Sequence, residues 1–180
     1  MAWNLLLAAL PAALALVLFR ATTSRGPSWW AGFVIFALLL PNAPYVITDL
    51  VHLRAHVAAA ASDGVVVFGV LPLFAAFIGA GLLFYVVAVR LFVAEVIRRW
   101  PSLPSVLVVT AVHLVCSVGV VLGRMARLNS WDAVTSPRST LSLVLDTLFW
   151  RGAPAAVLAV FVATAIGYGG MAGIVDAAMR

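Results

Sequence analysis

Four side chains that can carry acid–base or ligand chemistry recur at helical spacing within one apolar segment. Tyr45, Asp49, His52 and His56 are separated by four, three and four positions, so in an α-helix they would share one narrow face. Ionisable groups are costly in or near a bilayer, and such a stripe in an apolar helix is therefore a functional-site hypothesis. We predict Asp49 and His52 as the catalytic residues, one of them acting as a general base.

A second polar stripe lies further along the chain. His113, Ser117 and Arg124 are spaced to share a helix face, and Arg127 lies close to it. Because this face would gain nothing from lipid, we expect it to point at the Asp49 stripe. The predicted ligand-binding residues of the resulting pocket are Asn42, Tyr45, Thr48, Arg124, Arg127, Asn129, Ser130, Trp131 and Asp132.

Three chemistries could use this pocket. Arginine forks suit the phosphate or carboxylate of an anionic ligand. Imidazoles and carboxylates suit a metal ion, for which His52, His56 and His113 are candidate ligands, although the spacing matches no established metal motif. A relay of Asp and His residues would suit proton-coupled transport. The sequence leaves the choice open, and with it any cofactor.

Purely structural roles compete with these functional ones. Asp49 would pair with Arg124 or Arg127 and lock two helices together. His56 would be an interfacial residue at a helix end, and the ring of His113 would be satisfied by a backbone carbonyl inside the bundle.

The elements that must position these residues are membrane helices. The chain is 65% hydrophobic and 9% charged, with a mean hydropathy of +1.17, and its long uncharged runs approach the ~20 residues that cross a bilayer. We predict an all-α, polytopic bundle of about five spans that forms one transmembrane domain over residues 1–180. The predicted helices cover residues 3–19, a second span from residue 29, and then 64–89, 104–123 and 154–175, with a half-inserted helix over 141–150 before the last span.

The second span is predicted to break. Residues 29–40 cover only about 18 Å at 1.5 Å per residue, so the Pro41–Pro44 box lies within the membrane. Both prolines lack an amide donor and disrupt bonds to the carbonyls of Ala37 and Leu40. We expect the helix to restart there, with Asn42 as its cap.

The number and positions of the charged residues predict the environment and orientation of the protein. All eleven basic residues are arginine, and the net charge is +5. They lie mostly near helix ends, where basic residues set orientation and meet lipid head groups, so the charge indicates a bilayer partner and not a nucleic acid. Their distribution favours a multi-pass protein of the cell membrane with its N-terminus outside. The oligomeric state stays open.

The two polar boxes resemble a known bacterial family of predicted integral membrane proteins. The boxes run from Pro41 to Leu53 and from Gly123 to Asp132, and the family is catalogued only as a domain of unknown function, number thirteen-sixty-one. The resemblance implies a bacterial inner-membrane protein and marks most of the pocket residues above. Leu128 departs from the family pattern, in which an aromatic residue is expected at this position. The resemblance implies no activity.

The sequence therefore predicts a membrane protein with a polar Asp/His/Arg pocket on one membrane face. The leading hypothesis is that it binds or acts on an anionic or polar-headed amphiphile. A proton- or metal-linked small transporter and an assembly subunit of a larger membrane complex are the alternatives.

Overall fold

The computed structural model describes residues 2–20, 25–125 and 135–180, and within these ranges every regular element is helical. The described part contains five helical segments long and apolar enough to cross a membrane: Ala2–Arg20, Pro27–Ala58, Asp63–Arg99, Ser105–Met125 and Ala153–Ala178. The predicted all-α bundle of about five spans is thereby confirmed.

The second span is bent at its proline box. Helix α2 (Pro27–Leu39) gives way to a turn, a short α3 (Asn42–Tyr45), a 3-10 segment (Val46–His52) and α4 (Leu53–Ala58). Pro41 and Pro44 cannot donate, and the amide of Ala43 bonds to the Leu40 carbonyl at 3.2 Å. The chain therefore bends without leaving the helical region.

Asn42 is the first residue of the restarted helix, and its Nδ2 donates to the Leu39 carbonyl at 3.0 Å. The prolines disturb the backbone ladder at this point, and the side-chain amide supplies a donor there. Pro41 occupies the cap position that we predicted for Asn42, so that prediction was wrong.

The third span is longer than predicted. Its main helix is α6 (Leu71–Arg99), preceded by α5 (Asp63–Val65) and a π-helical turn (Val66–Val70). The predicted end near residue 89 was wrong, because partly buried Leu91 and Phe92 continue the apolar face of the helix. Ion pairs at helical spacing support this last part, and the helix stops only before Pro101, where the chain is forced out of the α-helical region.

Glu95 is the centre of those ion pairs. Its carboxylate, 8% exposed, contacts Arg25, Arg98 and Arg99. Arg25 also lies over the ring of Trp29, with its guanidinium carbon 4.2 Å from the ring centroid. One carboxylate thus ties the start of the second span to the end of the third.

Helix α6 is the middle of the bundle. Helix α1 (Ala2–Arg20) packs on it and on α2 and α3, while α7 (Ser105–Met125) and α9 (Ala153–Ala178) pack against each other and against α6. Between α1, α2 and α6 lies an aromatic cluster of Phe19, Trp29, Phe33, Phe36 and Phe92.

Trp29 and Trp30 have different environments. Trp29 is 8% exposed and donates Nε1–H to the Leu18 carbonyl at 3.1 Å, whereas Trp30 is 53% exposed. Only Trp30 therefore has the exposure of an interfacial aromatic residue.

The close packing of the bent second span against α6 and α7 depends on two glycines. A Cβ on Gly81 of α6 would collide with Val46, and one on Gly119 of α7 would lie 2.6 Å from Cγ of Pro41. The absence of a side chain at both positions lets the bent span pack tightly between α6 and α7.

Helix α8 (Pro137–Phe149) precedes the last span and begins at Pro137. A proline at the first helical position is expected, since its missing amide donor would be unpaired anyway. None of its residues is buried. Its half-insertion into the membrane stays a prediction.

Candidate functional site

Asp49 lies in the 3-10 segment of the second span and is only 4% exposed. Its Oδ2 accepts a hydrogen bond from Nδ2 of Asn4 at 2.9 Å. A buried carboxylate needs charged or hydrogen-bonding partners, and the first comes from α1.

Arg124, in the last turn of α7, supplies the second partner. Its Nη1 lies 3.6 Å from Oδ1 of Asp49 and donates to the hydroxyl of Tyr45 at 3.5 Å. Its guanidinium carbon is 5.9 Å from the Tyr45 ring centroid. The side chain is nevertheless 32% exposed. The two predicted stripes therefore do meet, through Asp49 and Arg124.

We call Asn4, Tyr45, Asp49 and Arg124 the Asp49 cluster. It joins the start of α1, the bent second span and the end of α7 at one end of the bundle. Glu95 and its arginines lie at the opposite ends of the second and third spans. The structural alternative for Asp49, a carboxylate–arginine pair between helices, is thus observed, and any ligand role must build on it.

Asn42 and Thr48 serve the bent backbone. Besides the Asn42 bond, Oγ1 of Thr48 donates to the Tyr45 carbonyl at 2.7 Å. Both side chains are partly buried. These contacts stabilise the bend, and the predicted ligand-binding roles of both residues stay predictions.

His52 and His56 are exposed, unlike Asp49. The ring of His56 packs edge-on against Phe74 at a centroid distance of 5.4 Å. A 3-10 helix has three residues per turn and not 3.6, so the narrow α-helical stripe predicted from the spacing is not preserved. Within the described ranges, no hydrogen bond or ion pair joins either histidine to Asp49 or Arg124, and the catalytic role of His52 stays a prediction.

His113 lies elsewhere, and its predicted place in one pocket with Asp49 was wrong. It precedes Arg124 by eleven residues on α7, which separates them by about 16 Å along the helix. Its Nδ1 is 2.7 Å from the hydroxyl of Tyr85, so the ring has a side-chain partner and not the predicted backbone carbonyl. Tyr168 and Phe161 of α9 pack around the ring.

The metal candidates are not brought together. Across residues 2–20, 25–125 and 135–180, no group of three His, Cys, Asp or Glu side chains is arranged to hold a metal ion. His52 and His56 are exposed on the second span, while His113 is buried on α7.

Five of the predicted ligand-binding residues lie outside the described residues. They are Arg127, Asn129, Ser130, Trp131 and Asp132. The predictions for them stand as made.

Sequence reasoning missed two polar residues that the structure brings into contact with predicted ones. Asn4 is the one strongly polar residue in the apolar run before Arg20, and Tyr85 lies in the apolar part of α6. Their isolation in apolar segments was the available signal, since membrane helices place such side chains toward partners.

The described residues form only helices, with five apolar segments, a proline-bent second span and a polar cluster that joins three helices. These features define a polytopic helical membrane protein. The chain belongs to the family described as protein of unknown function (DUF1361), which matches residues 3–166. The resemblance found in the two polar boxes is thereby confirmed. No curated protein and no solved structure matches the chain.

Proposed function

We propose that the Asp49 cluster binds the anionic head group of an amphiphile at one face of the membrane. The observation that carries the proposal is the state of Arg124: a buried carboxylate and a tyrosine hold its guanidinium, yet a third of the side chain stays exposed. Such a group is oriented before the ligand arrives, which lowers the ordering cost of binding.

The geometry divides the guanidinium into two parts. Within the described residues, its polar contacts to Asp49 and Tyr45 both run through Nη1. The opposite edge, formed by Nε and Nη2, would donate two parallel hydrogen bonds to two oxygens of a phosphate or carboxylate. This bidentate geometry is the one that the planar guanidinium of arginine favours.

Asp49 acts in this proposal mainly by positioning Arg124. Its Oδ2 accepts from Asn4 and its Oδ1 faces Arg124, so both oxygens are engaged. The acid–base role proposed for Asp49 and His52 would need the substrate to reach a carboxylate that is only 4% exposed. Binding is therefore the better-supported function, and turnover is a separate question.

The ligand class can be tested by native mass spectrometry in nanodiscs. The purified protein is placed in phosphatidylcholine alone or with phosphatidylglycerol, and bound lipid is counted. Arg124→Ala should lose retained phosphatidylglycerol. Arg54→Ala is the matched control, since Arg54 is an exposed arginine of the same span as Asp49. Equal loss in both variants would mean general attraction to the surface and would refute the site.

The same proposal places the cluster at the outer leaflet, with the N-terminus outside. Because Cys116 is the only cysteine, a Cys116→Ser background allows single-cysteine labelling. Ala59→Cys, in the turn between the second and third spans, should react with an impermeant maleimide on intact cells, and Ser102→Cys, before α7, should not. The reverse pattern would place the cluster inside.

A further inference from the structure

A second polar site lies inside the bundle where α6, α7 and α9 meet. Tyr85 is fully buried and His113 is 4% exposed, and they are joined through the tyrosine hydroxyl and Nδ1. From α9, Tyr168 lies 4.9 Å from the His113 ring and Phe161 lies 6.3 Å from it, both as centroid distances.

Thr164 belongs to the same junction. It follows Phe161 by three residues and precedes Tyr168 by four, so it shares the helix face that those two rings present to His113. It is 1% exposed, and its Oγ1 has no hydrogen-bond partner among the described residues. A buried hydroxyl without a partner is costly and requires an explanation.

Two other helical hydroxyls of this protein are satisfied locally. Ser117 donates to the carbonyl of His113 at 2.7 Å, and Thr147 donates to that of Leu143 at 2.7 Å. Both use the carbonyl four residues earlier, the usual partner of a hydroxyl within a helix. Thr164 does not, so its hydroxyl is available to something in the junction.

We propose that the junction binds a water molecule between Oγ1 of Thr164 and Nε2 of His113. Buried water typically bridges polar groups that lack another partner. When Tyr85 donates to Nδ1, the neutral ring carries its proton on Nε2 and donates it to the water, and the water donates to Thr164. The chain Tyr85–His113–water–Thr164 is then hydrogen-bonded throughout.

This site is separate from the proposed ligand site. Arg124 follows His113 by eleven positions, which corresponds to about 16 Å of helix. A bound water would give the buried ring of His113 a hydrogen-bonded solvent contact inside the bundle. The inference does not rest on head-group binding by Arg124 and can fail or succeed independently of it.

The chain offers a simple test, because it contains only three histidines. Protein labelled with ¹⁵N-histidine in phosphatidylcholine proteoliposomes is studied by water-edited solid-state NMR. Loss of one ring signal in His113→Gln assigns His113, and the exposed His52 and His56 are internal references. The His113 ring should receive magnetisation from water at a rate comparable to the references.

Substitutions at Thr164 identify the water. Thr164→Val keeps the shape and removes the hydroxyl, so transfer to His113 should fall several-fold, whereas Thr164→Ser should retain it. Thr147→Val, which removes a hydroxyl that has its own carbonyl partner, should leave it unchanged. Absence of transfer in the unsubstituted protein, or full transfer in Thr164→Val, would overturn the proposal, and size-exclusion profiles establish that each variant is folded.

Discussion

Asn4 and Asp49 are joined by a 2.9 Å hydrogen bond that links the start of the first span to the bent part of the second, across 45 positions of sequence. Among the described residues, the buried carboxylate has Asn4 as one partner and Arg124 as the other. The first span is part of the Asp49 cluster and not only a membrane anchor.

Asn4→Leu should therefore destabilise the protein. It removes a donor to a buried carboxylate, which we expect to cost about 1–2 kcal/mol, near the upper end for polar contacts between membrane helices. Thermal unfolding can be followed by a thiol-reactive dye, since Cys116 is 1% exposed and is the only cysteine. In the Asp49→Leu background the same substitution should cost much less, and an equal cost in both backgrounds would show that the bond contributes nothing.

Arg124→Ala should also lower stability. It leaves the buried Asp49 without its cationic partner, and because Arg124 is one-third exposed we expect about 1–3 kcal/mol, below the cost of breaking a fully buried pair. Adding Asp49→Asn should recover much of the loss, because the uncompensated charge is removed. The same dye-based unfolding assay measures it, and failure of the second substitution to help would argue against the ion pair.

The Glu95 ion pairs predict a ranking of three substitutions. Glu95→Gln leaves three arginines without their shared carboxylate and should cost most, about 2–4 kcal/mol. Arg25→Ala loses both Glu95 and the Trp29 ring and should come next. Arg98 is 65% exposed, so Arg98→Ala should cost about 0–1 kcal/mol. An unfolding midpoint for Arg98→Ala at or below that of Glu95→Gln would contradict this arrangement.

The glycines of this chain should divide into two groups. Gly81→Ala and Gly119→Ala force a methyl group against Val46 and Pro41 and should each cost about 1–3 kcal/mol. Val46→Ala should partly rescue Gly81→Ala. The methyl group added by Gly169→Ala or Gly173→Ala meets no described residue within 4 Å, so each should be neutral or stabilising by up to about 1 kcal/mol. A smaller oligomeric state in either of the latter variants than in the unsubstituted protein would instead assign that face to contact between copies.

The Gly169 and Gly173 spacing shows how far pattern reading reaches. Small residues four apart predict close helix contact, and the spacing of Gly119 and Gly123 makes the same prediction. The structure gives Gly119 a close neighbour in Pro41, whereas no described residue lies within 4 Å of a Cβ added at Gly169 or Gly173. Spacing identifies a smooth face but not which partner, if any, covers it.

The sequence alone determined the membrane class, the five spans and the bend at Pro41–Pro44. Hydropathy and the missing proline amides are local properties that hold whatever the helices contact. Only the tertiary structure decided which polar side chains meet. The 3-10 segment changed the angular position of His52 relative to Tyr45, and packing around α6 set Asn4 against Asp49 and His113 against Tyr85. Such pairings depend on the rotation and lateral position of whole helices, which the spacing within one helix does not contain.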